Sequence, residues 1–364
     1  MGKLFSKEQV EIPRFFEILP HGQEFDMRSI NNVLKDLEEN TQNINEISIG
    51  SHNYDVEALS RLAETIQECQ NITIANFSDV IHEQEDNSEY WEILNTTLMC
   101  LHNLYEVDLS KNNLTEYTID ILSFLFHSEC LKVIKLNDNH LGVEGAMKLA
   151  EAFRNSELEL YVFCAERNSF EDQGILELSE AFSNMGSLRQ VSLSENHLGK
   201  DGIIVLCRSL IKNPQLQILD LRDSYANEDT AYISIKQLIE KLEFLSKIDL
   251  NDCFLGNNGA KCVLKALIGS NPNISQFMIA YNEIDDDECA ECIVELLKTK
   301  RLLQHIDVGG NDFSLEMERK IIKAAEFFYK ERYYLNLEDS ESEDSEDNSE
   351  DFDEAPAYLT NEYT

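Results

Sequence analysis

Side chains that could break bonds or hold an ion are few in this chain, and their spacing is poor. Its one Cys-x-x-Cys pair is Cys289 and Cys292, an arrangement that holds a metal only when further ligands complete the set of four. No second pair exists, and both cysteines fall on helix positions that Ala146 and Leu149 fill elsewhere. They read as small buried apolar side chains. The eight histidines form no ligand spacing, and His140 and His197 read as exposed turn residues. The sequence contains no phosphate loop, Gly-x-Ser-x-Gly, His-Glu-x-x-His or Gly-x-Gly-x-x-Gly. No metal, cofactor or bond-breaking chemistry of its own is expected, which leaves recognition. The residues for that are charged and recur in register: a column of Asp108, Lys135, Ser192, Asp220, Asp249 and Asp307. Just after these come Asn137, Asp138, Glu166, Arg167, Glu195, Asp252 and Tyr281, and Asp79 and Lys111 join the binding candidates. A charged column is as readily plain solvated surface as a binding face.

The element that must position these residues is a repeat. A pattern Leu-x-x-Leu-x-Leu-x-x-Asn-x-Leu recurs ten times, with clear copies at Leu131–Leu141, Leu188–Leu198 and Ile274–Ile284. The Asn position reads His52, Phe77, Asn112, Asn139, Asn168, Asn196, Ser224, Cys253, Asn282 and Asn311, in steps of 25, 35, 27, 29, 28, 28, 29, 29 and 29. Such a period is the signature of an α/β leucine-rich repeat solenoid, a horseshoe with parallel strands on the concave side and helices on the convex side. Each strand alternates inward and outward residues, and the buried Asn is expected to satisfy backbone groups at the turn. Helices follow from apolar residues at i, i+3, i+4 and i+7, as in Ala146-Leu149-Ala150-Phe153, Ile203-Leu206-Cys207-Leu210 and Ala260-Val263-Leu264-Leu267. The long second step places an insertion around His82–Asp86, with a binding loop and a tolerated surface excursion both open.

These repeats divide the chain into an N-terminal cap (1–43), a repeat domain (44–314), a capping helix (315–336) that includes Ile321, Ile322, Ala325 and Phe328, and an acidic tail (337–364). The whole chain carries 69 acids against 30 bases, a formal charge of −39. From Glu338 onward lie 12 acids and no Lys or Arg, leaving 57 acids against 30 bases before the tail. A body this acidic is a poor match for nucleic acid and a good one for a basic protein surface. The tail LEDSESEDSEDNSEDFDE is expected to be disordered, with Ser340, Ser345 and Ser349 as acidophilic-kinase candidates or the whole as a solubilising, steering segment. Nine scattered cysteines, without a signal peptide or an 18-residue apolar run, point to a reducing cytosolic or nuclear compartment and no transmembrane segment. Met1-Gly2-Lys-Leu-Phe-Ser6 matches the myristoylation pattern, but one chain anchors marginally and anionic lipid would repel this body, so a lipid on Gly2 is not the expectation.

Repeats of 28–29 residues are similar to the ribonuclease-inhibitor type. Several strings go further and resemble the Ran GTPase-activating proteins: Ile74-Ala-Asn-Phe-Ser-Asp79, Leu250-Asn-Asp-Cys-Phe-Leu-Gly256, Tyr281-Asn-Glu-Ile284, the Arg167-Asn168 turn and the acidic tail. The resemblance covers roughly residues 40–354. It implies a crescent, expected to act as a monomer, that binds the GTP form of Ran and speeds hydrolysis, in the cytoplasm or at the cytoplasmic face of the nuclear envelope. It also implies a mechanism without a donated arginine, in which Ran's own glutamine is held against the attacking water. The chain would then be no enzyme itself, with Asp138, Asn137 and Gln84 as activity-supporting candidates. Two residues depart from the family pattern: Gln84 replaces an Arg past Phe-Ser-Asp, and Asp138 replaces the first Asn of a turn pair. The open alternatives are an acidic scaffold or inhibitor that binds a basic protein, and a Ran binder without activity. Acidic histone-binding leucine-rich phosphoproteins have shorter repeats.

Overall fold

The computed structural model describes residues 14–82, 87–227, 229–271, 273–329 and 334–337. Its main sheet has twelve strands, all parallel: β1 (Arg14–Glu17), β3 (Ile44–Ser48), β5 (Ile74–Asn76), β6 (Glu106–Asp108), β7 (Val133–Lys135), β8 (Val162–Cys164), β9 (Gln190–Ser192), β10 (Ile218–Asp220), β11 (Lys247–Asp249), β12 (Gln276–Met278), β13 (His305–Asp307) and β14 (Tyr334–Asn336). A small second pair joins β2 (Glu24–Phe25) to β4 (Asn53–Tyr54). Helices return the chain between successive strands: α1 (Met27–Asn40), α2 (Val56–Gln67), α3 (Ser88–Cys100), α4 (Glu116–Ile121) with a 3-10 turn over Leu122–His127, α5 (Gly142–Arg154), α6 (Glu171–Met185), α7 (Lys200–Leu210), α8 (Asp229–Lys241), α9 (Gly256–Gly269), α10 (Asp287–Thr299) and α11 (Leu315–Tyr329).

The molecule is therefore an α/β solenoid with a parallel sheet on one side and helices on the other. Strands pair at about 4.8 Å whereas packed helices need about 8–10 Å, so a stack with one of each per repeat curves with its strands inside. The middle residue of each strand points into the core in unbroken register, Val107, Ile134, Phe163, Val191, Leu219, Ile248, Phe277 and Ile306, each at most 1% exposed. The apolar stripes of α5, α7 and α9 bury the residues that the helical spacing picks out. Between α5 and α6, Gly174 permits close approach, since a Cβ there would meet the Ala146 methyl at 2.7 Å. Phe126, Phe153, Phe163 and Phe182 form a chain of ring contacts at 5.3–5.7 Å through three repeats.

The register corrects one sequence assignment. Ala75 pairs with Val107, so Phe77 corresponds to the buried Leu109 and not to the ladder Asn. The ladder position of the second unit is Val80, whose N–H, with that of Ile81, is taken up by Asn112 Oδ1 at 2.9 Å. The steps around it become 28 and 32 instead of 25 and 35. A periodic apolar pattern reads Phe77 and Val80 equally well; only strand pairing separates them. Both ends also carry strands. β1 extends the sheet ahead of the first repeat, and β14 pairs with β13 beyond α11.

Candidate functional site

Each strand ends in the same turn, and the turn aims the rim side chains. The residue before the ladder position holds a left-handed backbone at Ser51, Asp79, Lys111, Asp138, Arg167, Glu195, Asp223, Asp252, Tyr281 and Gly310, with φ between 50° and 61°. That conformation costs a non-glycine residue about 1–2 kcal/mol, and inter-repeat hydrogen bonding offsets it. Asp138 N–H donates to Glu166 C=O at 2.9 Å, and Arg167 and Glu195 repeat the bond one unit on. Seven rim candidates, Asp79, Lys111, Asp138, Arg167, Glu195, Asp252 and Tyr281, therefore share one column. Gly310 is in that column because the Tyr281 ring lies across it, leaving no room for a Cβ.

Behind the rim runs the ladder. Asn196 Oδ1 accepts from Asn168 N–H and Phe170 N–H at 3.1 and 3.2 Å, while its Nδ2 donates to Ala165, Leu193 and Ser194 carbonyls. Asn112, Asn139, Asn282 and Asn311 bond the preceding repeat in the same way, and Asn168 Nδ2 donates to Leu136 C=O. His52 does the same with a ring: Nδ1 accepts from Gln23 N–H and Nε2 lies 3.0 Å from Ile18 C=O. At Ser224 and Cys253 the ladder weakens. Cys253 Sγ donates to Leu221 C=O, and the buried Ser224 hydroxyl has no partner among the described residues.

The strand column differs from the open acidic face that its composition suggests. Asp108, Asp220, Asp249 and Asp307 each accept the N–H two residues on, at 2.9–3.1 Å, a local turn bond that fits Asp and Asn for structural reasons. Asp220 and Asp249 are only 9% and 7% exposed. Cys164 and Met278 also occupy the column, interrupting the acids.

Charge is organised across the column and the rim. Arg167 forks onto Asp138 with two bonds, one of 2.7 Å, and reaches Glu195 at 3.3 Å. Arg222 reaches Glu195 at 3.4 Å and Glu166 at 3.7 Å, and Lys135 pairs with Glu106 at 2.8 Å. Hydrogen bonding to Asp138 raises the Arg167 pKa still further. Burial raises Glu166 and Asp220, and it raises Asp249 to about 6 with help from the neighbouring Asp220 charge. For Arg222 burial opposes the charge, but Asp220, Asp249, Glu166 and Glu195 outweigh it. Asn137 and Asn251 brace neighbouring strands, accepting from Glu166 N–H and Ala280 N–H.

The structure thus links Asp138 and Glu195 through Arg167, gathers Glu166, Glu195, Asp220 and Asp249 around Arg222, and leaves Asp79 with His82, at 3.5 Å, in an earlier repeat. Lys111 stands exposed, Asp307 bonds Asn251 Nδ2 at 3.3 Å, and Gln84 lies outside the described residues, as do Gly2 and the tail serines. Sequence reasoning missed Arg222, Asp223 and Glu106. Carrying the period-2 alternation two residues past the strand would have found Arg222. Cys289 and Cys292 are buried in α10, and burial raises the Cys289 thiol to about 12. Among the described residues no cluster of His, Cys, Asp and Glu could hold a metal, and no helix is long and apolar enough to cross a membrane.

Comparison with known proteins agrees with this geometry. A family model described as "Leucine Rich repeat" matches residues 127–150 and 187–207. Mouse "NACHT, LRR and PYD domains-containing protein 5" is 25% identical over 251 residues, 66% of this chain and 21% of its own length. Pig "Ribonuclease inhibitor" is 23% identical over 234 residues, covering 64% of this chain and 50% of its own. The chain thus spans about a fifth of the first relative and half of the second. A solved structure of a yeast complex of Rad7 and Elc1 shares the fold, with TM-score 0.54 and 16% identity over 80% of this chain and 74% of that one. The chain is a leucine-rich repeat solenoid with ribonuclease-inhibitor-like relatives.

Proposed function

We propose that this protein is a recognition scaffold whose concave face and rim receive a protein partner, and that the partner is a Ran-type small GTPase in its GTP form. Hydrolysis would be accelerated by positioning the partner's own groups, in the cytoplasm, with no cofactor and no bond-breaking residue in this chain. The observation that carries the scaffold reading is the left-handed rim column before the ladder, which presents one side chain per repeat along a hydrogen-bonded stack. The GTPase reading is supported by the resemblance of Ile74–Asp79, Leu250–Gly256 and Tyr281–Ile284, strings that lie at the same strand-to-turn corner of three repeats.

In this reading Asp138 is held ready by Arg167 and is released or redirected when the partner docks. Single-turnover GTP hydrolysis by Ran, with catalytic amounts of this protein, tests it. Stimulation by orders of magnitude is expected, reduced more than about tenfold by Asp138→Ala; an unchanged rate would remove Asp138 from the site. Binding without stimulation would leave a Ran binder, and neither would leave an acidic scaffold for a basic protein. That second reading is favoured by the ribonuclease-inhibitor relatives and by the net charge.

A further inference from the structure

Along the rim column the charges change character between the sixth and seventh repeats. Asp138 and Glu195 are both paired with Arg167, and Glu195 also with Arg222. Asp223 and Asp252, the next two positions, have no ion pair among the described residues, and burial together with the Asp223 charge raises the pKa of Asp252. Two residues beyond each of these acids stands an aromatic, Tyr225 and Phe254. Their rings stack face to face, with centroids 5.2 Å apart and planes within 10°. Tyr225 is 50% exposed.

Phe254 holds φ +52°, the left-handed backbone that the repeat also imposes at the equivalent Asn113, Ser169, His197 and Glu283, so its conformation belongs to the fold. Two features mark this pair as more than packing. The asparagine ladder is interrupted at these same two repeats, where Ser224 and Cys253 replace Asn. The stack also lies on the rim, where it crosses no repeat core. An aromatic face two residues along the chain from two carboxylates without an ion pair among the described residues fits a planar cation that can stack and donate charge-assisted hydrogen bonds at once.

We infer that Tyr225, Phe254, Asp223 and Asp252 form a docking site for an arginine-bearing segment of a basic protein partner. Guanidinium, and not ammonium, is the group chosen by this geometry, because it stacks on aromatic planes while its edge remains free for the carboxylates. The inference rests on the reading of the rim as a protein-binding face and is independent of whether that partner is a GTPase.

The test is fluorescence anisotropy of labelled hexa-arginine and hexa-lysine with the full chain at high salt, where attraction between exposed charges is largely screened. Hexa-arginine is expected to bind at least about fivefold more tightly than hexa-lysine. Tyr225→Ala, Phe254→Gly and the pair Asp223→Asn with Asp252→Asn should each erase that preference. Glu89→Gln with Glu92→Gln, an equal charge change on the exposed face of α3, should leave it intact. Phe254→Gly removes the ring while suiting the left-handed backbone, and a urea melt of the same variant separates loss of the site from loss of the fold. Equal affinity for both peptides, or equal losses in the rim and α3 variants, would overturn the proposal. Because the readout contains no nucleotide, a negative result in GTP hydrolysis leaves it standing.

Discussion

At the residue scale, the side chains with the greatest structural effect are the buried amides. Asn196 has no exposure and serves five backbone groups of two repeats. Replacing it with Ala would strand several of them in a site too dry for water to compensate. Asn196→Ala should therefore cost about 3 kcal/mol, read from urea unfolding. These residues were legible as a ladder because every copy needs the same two-sided amide, and period alone reveals the position. Phe77 was misplaced because an apolar residue at a turn gives no such signature. The rim residues were individually legible as charged, but the pairing of Arg167 with Asp138 was not, since it joins positions 29 apart in sequence.

At the element scale, the parallel sheet determines the ionisation of its own acids. Adjacent strands bring Asp220 and Asp249 side by side, and burial adds to the cost of charging both. In the folded state burial and the Asp220 charge push the Asp249 carboxyl up to about 6, against 3.8 for an ordinary Asp. Between those values the native state binds more protons than the unfolded chain, so stability falls as pH rises through the window and stays lowered above it. Asp249→Asn preserves an acceptor for the Asn251 N–H and removes the charge. The variant should match the parent below pH 4 and exceed it at pH 7 by up to about 3 kcal/mol, measured by denaturant melts at both values. A variant less stable at pH 7 would mean that the carboxylate is held mainly by Arg222. A column that in sequence reads as an acidic face, binding or merely solvated, thus has a further duty, capping turns, that only hydrogen-bond geometry exposes.

At the scale of the whole molecule, a solenoid is limited by its ends, because a stack exposes a sheet edge wherever it stops. β14 closes one edge, and Asn336 C=O accepts the Val308 N–H at 3.1 Å. Ending the chain after Tyr329 instead of Leu337 removes that strand while both products lack the acidic tail. The shorter product should melt at lower temperature and show concentration-dependent association by light scattering; identical behaviour would make β14 dispensable. The unbalanced charge of the chain belongs to this scale too, since it favours approach of any basic surface.

Sequence by itself determined the repeat, its period, the sidedness of strand and helix, and the acidic character of the surface, because these follow from local periodicity and composition. Tertiary structure alone decided the register at Val80, the duty of the column aspartates, and which rim charges are already spent on one another. The physical reason is that each of those outcomes depends on contact between neighbouring repeats, about 28 residues apart. A single repeat cannot show whether the residue beside Asp138 is Arg167, which neutralises it, or the residue beside Asp252 is another acid, Asp223, which leaves both available to a partner.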